Sequence, residues 1–292
     1  MKHHLSLLLT YILLTATSLS AEPKEYRYYL GALAIFRNDA PYLKEWIEYH
    51  KLVGIEHFYL YNNLSNDGHI EVLQPYIDNG YVELIDWPYE HGKDGHWTKI
   101  QRNAYRHAIE GCSSETKWLA IIDTDEFIVP GEHKSLNELI ASEEAKKQNK
   151  NVARYEISWI LFGTSGVERT PNNRLMIELL LKNEGKANKM YKSIVRPQYV
   201  GDYINPHKTN LTKKMKHKKL PLSTAQVNHY VLRDQYFLHK VKIPRVGNYY
   251  KSTEYLLNLD KQCCHINRFS DKILRFAPQL SENMGFTTVD NH

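Results

Sequence analysis

Apolar runs recur along the chain at strand and helix spacings, and several stop abruptly in polar clusters. Residues 30–36 form a first strand pattern that ends at Arg37-Asn38-Asp39. Ala40-Pro41 then open a helix, with Asp39 placed as N-cap and Pro41 near the first helical position. Leu43, Trp46, Ile47, His50 and Val53 recur at helical spacing and Gly54 supplies the stop, so His50 reads as a packed histidine rather than a ligand. Residues 57–61 give a second strand pattern ending in the turn cluster 62–68, and residues 70–78 a short helix interrupted by Pro75. Residues 81–87 read as a third strand and 99–110 as a helix closed by Gly111. The fourth strand pattern, Trp118-Leu119-Ala120-Ile121-Ile122, is apolar throughout, as in a strand buried on both faces, and runs into Asp123-Thr124-Asp125-Glu126.

Strands alternating with helices predict an α/β fold with a mostly parallel central sheet and helices on both faces. The four polar clusters then fall on the C-terminal edge of the strands, where open α/β sheets bind ligands. Carboxylates two apart can converge on one hard cation and leave places for water and a substrate phosphate. An isolated Asp-x-Asp is a common tripeptide that a solvated loop would explain; four polar strand ends on one edge favour a Mg²⁺ or Mn²⁺ holding a nucleotide diphosphate at Asp123 and Asp125. No Gly-x-Gly-x-x-Gly or Walker pattern is present, so neither a dinucleotide fold nor a P-loop enzyme is indicated.

Beyond Pro130 the pattern weakens. Residues 135–150 read as a charged amphipathic helix and 152–161 as a further strand. The turn Gly163-Thr164-Ser165-Gly166, beside Trp159 and Phe162, suits a sugar whose C–H faces meet aromatic rings, and equally suits an ordinary turn over core aromatics. Residues 189–196 and 199–204 are expected to pair as a hairpin leading to His207. His229 follows another apolar approach, and either histidine can complete a metal shell begun by the carboxylates.

Composition narrows this picture little. The 292 residues are 42% hydrophobic and 12% aromatic, as in a folded globular chain. The net charge of +5 owes much to a lysine-rich run over 208–219, read as a solvated loop, and nucleic acid is not an expected partner. Lys2, an apolar run over 5–19 and small residues before Ala21 make residues 1–21 a signal peptide or retained signal anchor. This places the chain in the secretory pathway or periplasm, membrane-associated if the segment is kept. Cys112, Cys263 and Cys264 form neither a disulfide framework nor a zinc spacing. Asn63 and Asn210 begin Asn-x-Ser/Thr triplets.

Several segments together resemble glycosyltransferase family 92 and bacterial family 2-like glycosyltransferases. These are Arg37-Asn38-Asp39, the Glu45-Trp46-Ile47-Glu48-Tyr49-His50 helix, Tyr61 to Asp67, Gln101, Asp123-Thr124-Asp125-Glu126-Phe127, Phe162 to Gly166, Lys192 to Pro197, His207 and Asn228-His229-Tyr230 with Phe237 and Lys240. Asp39 stands where the family usually has Glu, and Val241 to Arg245 departs from a Lys/Arg-Gly ending. The resemblance implies a GT-A nucleotide-diphospho-sugar transferase domain over 26–245, followed by a C-terminal extension over 246–292. It further implies a UDP-sugar donor, a divalent cation, Mn²⁺ or Mg²⁺, inversion at the anomeric carbon, and a glycan or other hydroxyl acceptor. On that reading Asp125, with Asp123 nearby and one histidine, His207 before His229, holds the cation; Arg37, Asn38, Asn63 and Asp67 line the nucleotide pocket; and Gln101 faces the sugar. Asp123 can alternatively face the ribose or uracil. Glu168 is the candidate base, with Glu126 behind it. The competing readings are a secreted carbohydrate-binding protein that keeps the fold, and a nucleotidyltransferase or phosphohydrolase using the same metal logic.

Overall fold

The computed structural model describes residues 25–205, 207–246, 253–265 and 268–286; residues 1–21, expected to be a signal peptide or anchor, lie outside the described residues. Its strands are β1 (Tyr28–Phe36), β2 (His57–Asn62), β3 (Val82–Asp86), β4 (Thr116–Ile121), β5 (Glu126–Val129), β6 (Val152–Leu161), β7 (Tyr191–Val195), β8 (Val200–Ile204), β9 (Thr209–Leu211), β10 (Lys216–Lys219) and β11 (Gln226–His229). Its helices are α1 (Ala40–Leu52), α2 (His69–Asp78), α3 (Trp97–Cys112), α4 (Leu136–Glu144), α5 (Met176–Leu179), α6 (Gln235–Phe237), α7 (Ile243–Val246), α8 (Thr253–His265) and α9 (Ala277–Met284), with a π-helical turn at Leu238–Lys242.

The main sheet has the order β3-β2-β1-β4-β7-β6-β11-β5, with β10 also on β6. Strands β3, β2, β1 and β4 run parallel. β7 enters antiparallel to both β4 and β6, and β11 lies parallel to β6 but antiparallel to β5. In β1, Leu30, Ala32, Ala34 and Phe36 enter the core under α1, while Leu33 and Ile35 enter a second core with α3. That two-residue period with both faces covered is why the run is apolar at nearly every position.

Several elements differ from the sequence expectation. Pro75 sits on the exposed side of a continuous α2 that buried Leu73 and Tyr76 anchor, and Gly111 lies inside α3 rather than ending it. Residues 189–196 and 199–204 do not form a hairpin: β7 is drawn into the central sheet, and β8 pairs with β9. The lysine-rich run is partly β10, whose Lys218 reaches Glu143 at 2.6 Å. Past residue 246 the chain is part of the same molecule's core, since Ile273, Phe276, Ala277 and Leu280 are buried with Trp46 and Tyr49. Among the described residues, no helix is long and apolar enough to cross a membrane.

Candidate functional site

β4 ends at Ile121, the chain turns through 122–125, and β5 returns antiparallel to β11 with Glu126 directly opposite His229. The Tyr230 N–H donates to the Asp125 carbonyl at 2.8 Å and extends that ladder. β5 closes one end of the strand order, and side chains of α1 satisfy its outer edge. Trp46 Nε1–H donates to the Glu126 carbonyl (2.9 Å), Tyr49 O–H to the Ile128 carbonyl (3.0 Å), and the Ile128 N–H to His50 Nε2 (3.4 Å). His50 Nδ1–H donates to the Trp46 carbonyl (2.8 Å). Burial lowers the His50 pKa to about 3 against the upward pull of that carbonyl, so the ring is neutral with one nitrogen donating and the other accepting.

On the other side of β5, Asp125, Glu126 and His229 each offer a ligand atom, all within 4.8 Å of one another. His229 Nε2 is 3.4 Å from Asp125 Oδ1, and His229 Nδ1 is 4.0 Å from Glu126 Oε1. Glu126 Oε1 and His229 Nδ1 are buried and have no hydrogen-bond partner. A divalent cation would satisfy both. Hard carboxylate oxygens with one imidazole suit Mn²⁺ or Mg²⁺, so the residues present fit such an ion. Burial pushes the Asp125 carboxyl up, but His229, Lys242 and Arg233 hold it well below the usual range and keep it ionised.

Asp123 and His207 lie outside this cluster. Lys192 Nζ, from β7, donates to Asp123 Oδ2 at 2.6 Å and lies 3.1 Å from Glu126 Oε2, with its side chain 1% exposed. Tyr105 O–H reaches Asp123 Oδ1 at 3.4 Å, and Gln101 donates to the Tyr105 oxygen at 2.9 Å. Two carboxylates thus share one buried ammonium. Burial would discharge Lys192, yet Asp123 and Glu126 keep it charged; burial also pushes Glu126 well up against the pull of Lys192. His207 packs edge-on against Trp159 at 5.0 Å, and the same indole contacts His229 at 4.4 Å.

The residues expected in the nucleotide pocket mostly tie the strand-end loops together. The Asn38 N–H donates to Ser65 Oγ and Asn38 Oδ1 accepts from the Asn66 N–H, both at 2.9 Å. Asn38 has φ 53°, in the left-handed region that Asn tolerates better than most residues. Asn63 is buried, its amide donating to the carbonyls of Trp87 and Tyr89 at 2.8 Å each, which also removes this triplet from the surface. Asp39 occupies the N-cap position of α1 as expected, but its side chain makes no cap bond: it accepts from Thr124 Oγ1 (2.8 Å) and Arg233 Nη1 (3.0 Å). Asp67 Oδ2 instead accepts the Ala40 N–H at 2.8 Å. Arg37 is exposed, with its carbonyl 3.4 Å from Arg245 Nη2.

The expected sugar turn is covered by α8. A Cβ on Gly163 would lie 2.6 Å from Cys263 Cβ, and the Thr164 N–H and hydroxyl both donate to Asp260. The close approach that requires glycine here is that of a helix. Glu168 is exposed and lines a groove of about 340 Å³, whereas Glu126 is wholly buried and cannot meet an acceptor as the structure stands.

The sequence reading gave no role to Lys192, Tyr105, Arg233 or Lys242. A lysine within the short β7 stretch Tyr191-Lys192-Ser193-Ile194-Val195 is the one available signal for Lys192, because an ammonium buried with that strand must find partners. Arg233 stacks 3.6 Å from the Tyr42 ring centroid while holding Asp39, which only the fold reveals.

The model of glycosyltransferase family 92 matches residues 33–264. The chain belongs to glycosyltransferase family 92. A glycosyltransferase family 92 protein of Ricinus communis is 30% identical over 215 residues, covering 70% of this chain and 35% of the relative. The beta-1,4-galactosyltransferase galt-1 of Caenorhabditis elegans is 35% identical over 114 residues, 37% of this chain and 27% of that protein. The chain spans about a third of the length of the curated family 92 relatives it matches. The solved structure of S. aureus TarS 1–349 aligns over 86% of this chain and 73% of its own at 10% identity, with a TM-score of 0.38. With the family in hand, the α/β sheet with helices on both faces is the GT-A architecture that the resemblance implied.

Proposed function

We propose that this family 92 chain is a metal-dependent, inverting glycosyltransferase that moves a hexose from a UDP-sugar to a hydroxyl of a glycan. The observation that carries the reading is the corner of Asp125, Glu126 and His229, where a carboxylate oxygen and an imidazole nitrogen are buried without partners on the ligand edge of an α/β sheet. The relative galt-1 is a beta-1,4-galactosyltransferase by name, which supports a hexose. Asp125, Glu126 and His229 would hold Mn²⁺ or Mg²⁺, and a bound cation would neutralise charge developing on the departing diphosphate.

The chain's own residues supply the rest. Lys192 fixes the carboxylates of Asp123 and Glu126 before substrate arrives. Asp123, 30% exposed on its side chain, keeps a face open toward the ribose or uracil. Glu168, exposed in its groove, is the group free to take a proton from an acceptor hydroxyl. Thermal unfolding with UDP, Mn²⁺ and both together tests the reading. Stabilisation by the pair beyond either alone is expected, lost in Asp125→Ala while that variant still unfolds in a single cooperative transition without ligand. An unchanged response in that variant would remove Asp125 from the metal site, and transfer without a divalent cation would remove the mechanism.

A further inference from the structure

We infer that the acceptor is an extended, neutral oligosaccharide lying across two joined grooves, with Tyr236 as the aromatic platform at their junction; this rests on the transferase reading above. A groove of about 760 Å³ runs past the start of α1, α2 and residues 169–176, and the 340 Å³ groove holding Glu168 adjoins it. Tyr236 and Arg169 line both. Tyr236 is 45% exposed, and the Arg169 guanidinium sits 4.4 Å from its ring centroid. The guanidinium covers one face of the ring, and the exposed remainder, flanked by hydrogen-bonding groups, matches the C–H face and hydroxyl rim of a pyranose.

The platform is held rigidly. The Gln235 N–H donates to the Val167 carbonyl and the Tyr236 N–H to the Glu168 carbonyl, both at 2.9 Å, and the Thr170 N–H to Asp234 Oδ2 at 2.8 Å. This zipper sets Tyr236 beside Glu168. It also joins the metal corner, because Tyr230 pairs with Asp125 and Arg233 holds Asp39. Charge selects the occupant. In the larger groove Lys44, Arg169 and Arg174 stand with Glu45, Glu71 and Asp234, and the smaller adds Glu168 and Lys240. A lining of mixed sign has no field to favour a polyanion or polycation, whereas it offers donors and acceptors to a neutral polyol.

Calorimetric titration of the full chain with cello-, galacto- and manno-oligosaccharides, from the monosaccharide to roughly six sugars, tests this. For at least one series, affinity should rise about tenfold beyond the disaccharide, Tyr236→Ala should lose that rise, and Tyr236→Trp should keep it. Oligogalacturonate of the same length should show no such rise. Affinity independent of length, a rise that survives in Tyr236→Ala, or a preference for the acidic series would each overturn the inference. The Mn²⁺–UDP thermal shift on the same preparations separates the two levels. Donor stabilisation without length dependence removes this inference alone; length dependence without donor stabilisation removes the transferase reading and leaves the grooves as a glycan-binding surface.

Discussion

The loops after β1 and β2 and the turn between β4 and β5 share one edge of the sheet and are built from the same short polar residues, but their polar atoms face different things. In the first region Asn38, Ser65, Asn66, Asn63 and Asp67 bond to one another, to backbone carbonyls, or to the Ala40 N–H. In the second, Glu126 Oε1 and His229 Nδ1 are buried and face no partner. The turn itself is divided: Asp123 is tied to Lys192 and Tyr105 on its closed side while its side chain stays 30% exposed, and Asp125 faces His229 on the other. A polar cluster at a strand end is therefore no site by residue type alone. Bonds between loops hold the first region together, although Asp67 Oδ1 there is itself buried without a hydrogen-bond partner; the second region differs in bringing two carboxylates and an imidazole to one point.

The sharpest way to break this comparison is to damage the closed side of the turn. Lys192→Met leaves Asp123 and Glu126 facing each other without a cation in a buried setting. Removing one partner of a buried ion pair costs about 3–5 kcal/mol, and chemical denaturation should show a loss of that size. Asp125→Ala, on the side facing His229, should remove donor binding and, because against burial His229, Lys242 and Arg233 favour its ionised form, also cost stability, though less than Lys192→Met. Equal destabilisation by both variants would erase the distinction between the two halves of the turn.

The scaffold beneath the open corner gives a second, smaller effect. His50 holds the outer edge of β5 only while neutral, and burial lowers its pKa to about 3 from an ordinary 6.5. Between those values the unfolded chain binds a proton that the folded chain refuses, so this contribution is complete above pH 6.5 and is lost as pH falls toward 3. Glu45, pushed up to about 7 by burial against two backbone N–H donors, acts in the opposite sense, losing stability as pH rises from 4.5 to 7. The His50 share is therefore read as the difference between wild type and His50→Gln, which keeps a donor and an acceptor without titrating. From pH 7 to pH 5 the wild type should lose about 2 kcal/mol relative to the variant. Parallel stability curves would mean that His50 titrates normally.

What was legible in the sequence follows the same division. β1 and β4 could be read because both faces of each strand are covered, which writes them as nearly unbroken apolar runs, while β2 and the partly exposed β3 could be read as β-rich stretches bounded by turn clusters. β5 could not, because four residues beginning with a carboxylate look like the tail of β4 until β11 pairs with them. β7 was misplaced because local order suggests a hairpin, whereas long-range pairing takes it into the sheet and delivers Lys192 to the carboxylates. Asp125 and His229 were legible as residue types. Their pairing with Glu126, and the exclusion of Asp123 and His207 from the cluster, depend on cross-strand register that no short window contains.

Asp67 gives the smallest predicted effect and the finest test of the contrast. α1 lacks a side-chain cap of its own because Asp39 is drawn to Thr124 and Arg233, so Asp67 crosses from the neighbouring loop to accept the Ala40 N–H. Losing an N-terminal acceptor costs about 1 kcal/mol, and Asp67→Ala should lower stability by that much. Asp67→Asn keeps an acceptor and should recover most of it. If Asp67 is only a brace, the Mn²⁺-dependent affinity for UDP stays unchanged in both variants. A fall in that affinity of about tenfold, with stability held in Asp67→Asn, would instead place this carboxylate on the nucleotide, as the sequence suggested, and would show that a group bracing a loop on this edge can still serve the ligand through Oδ1, which has no hydrogen-bond partner here.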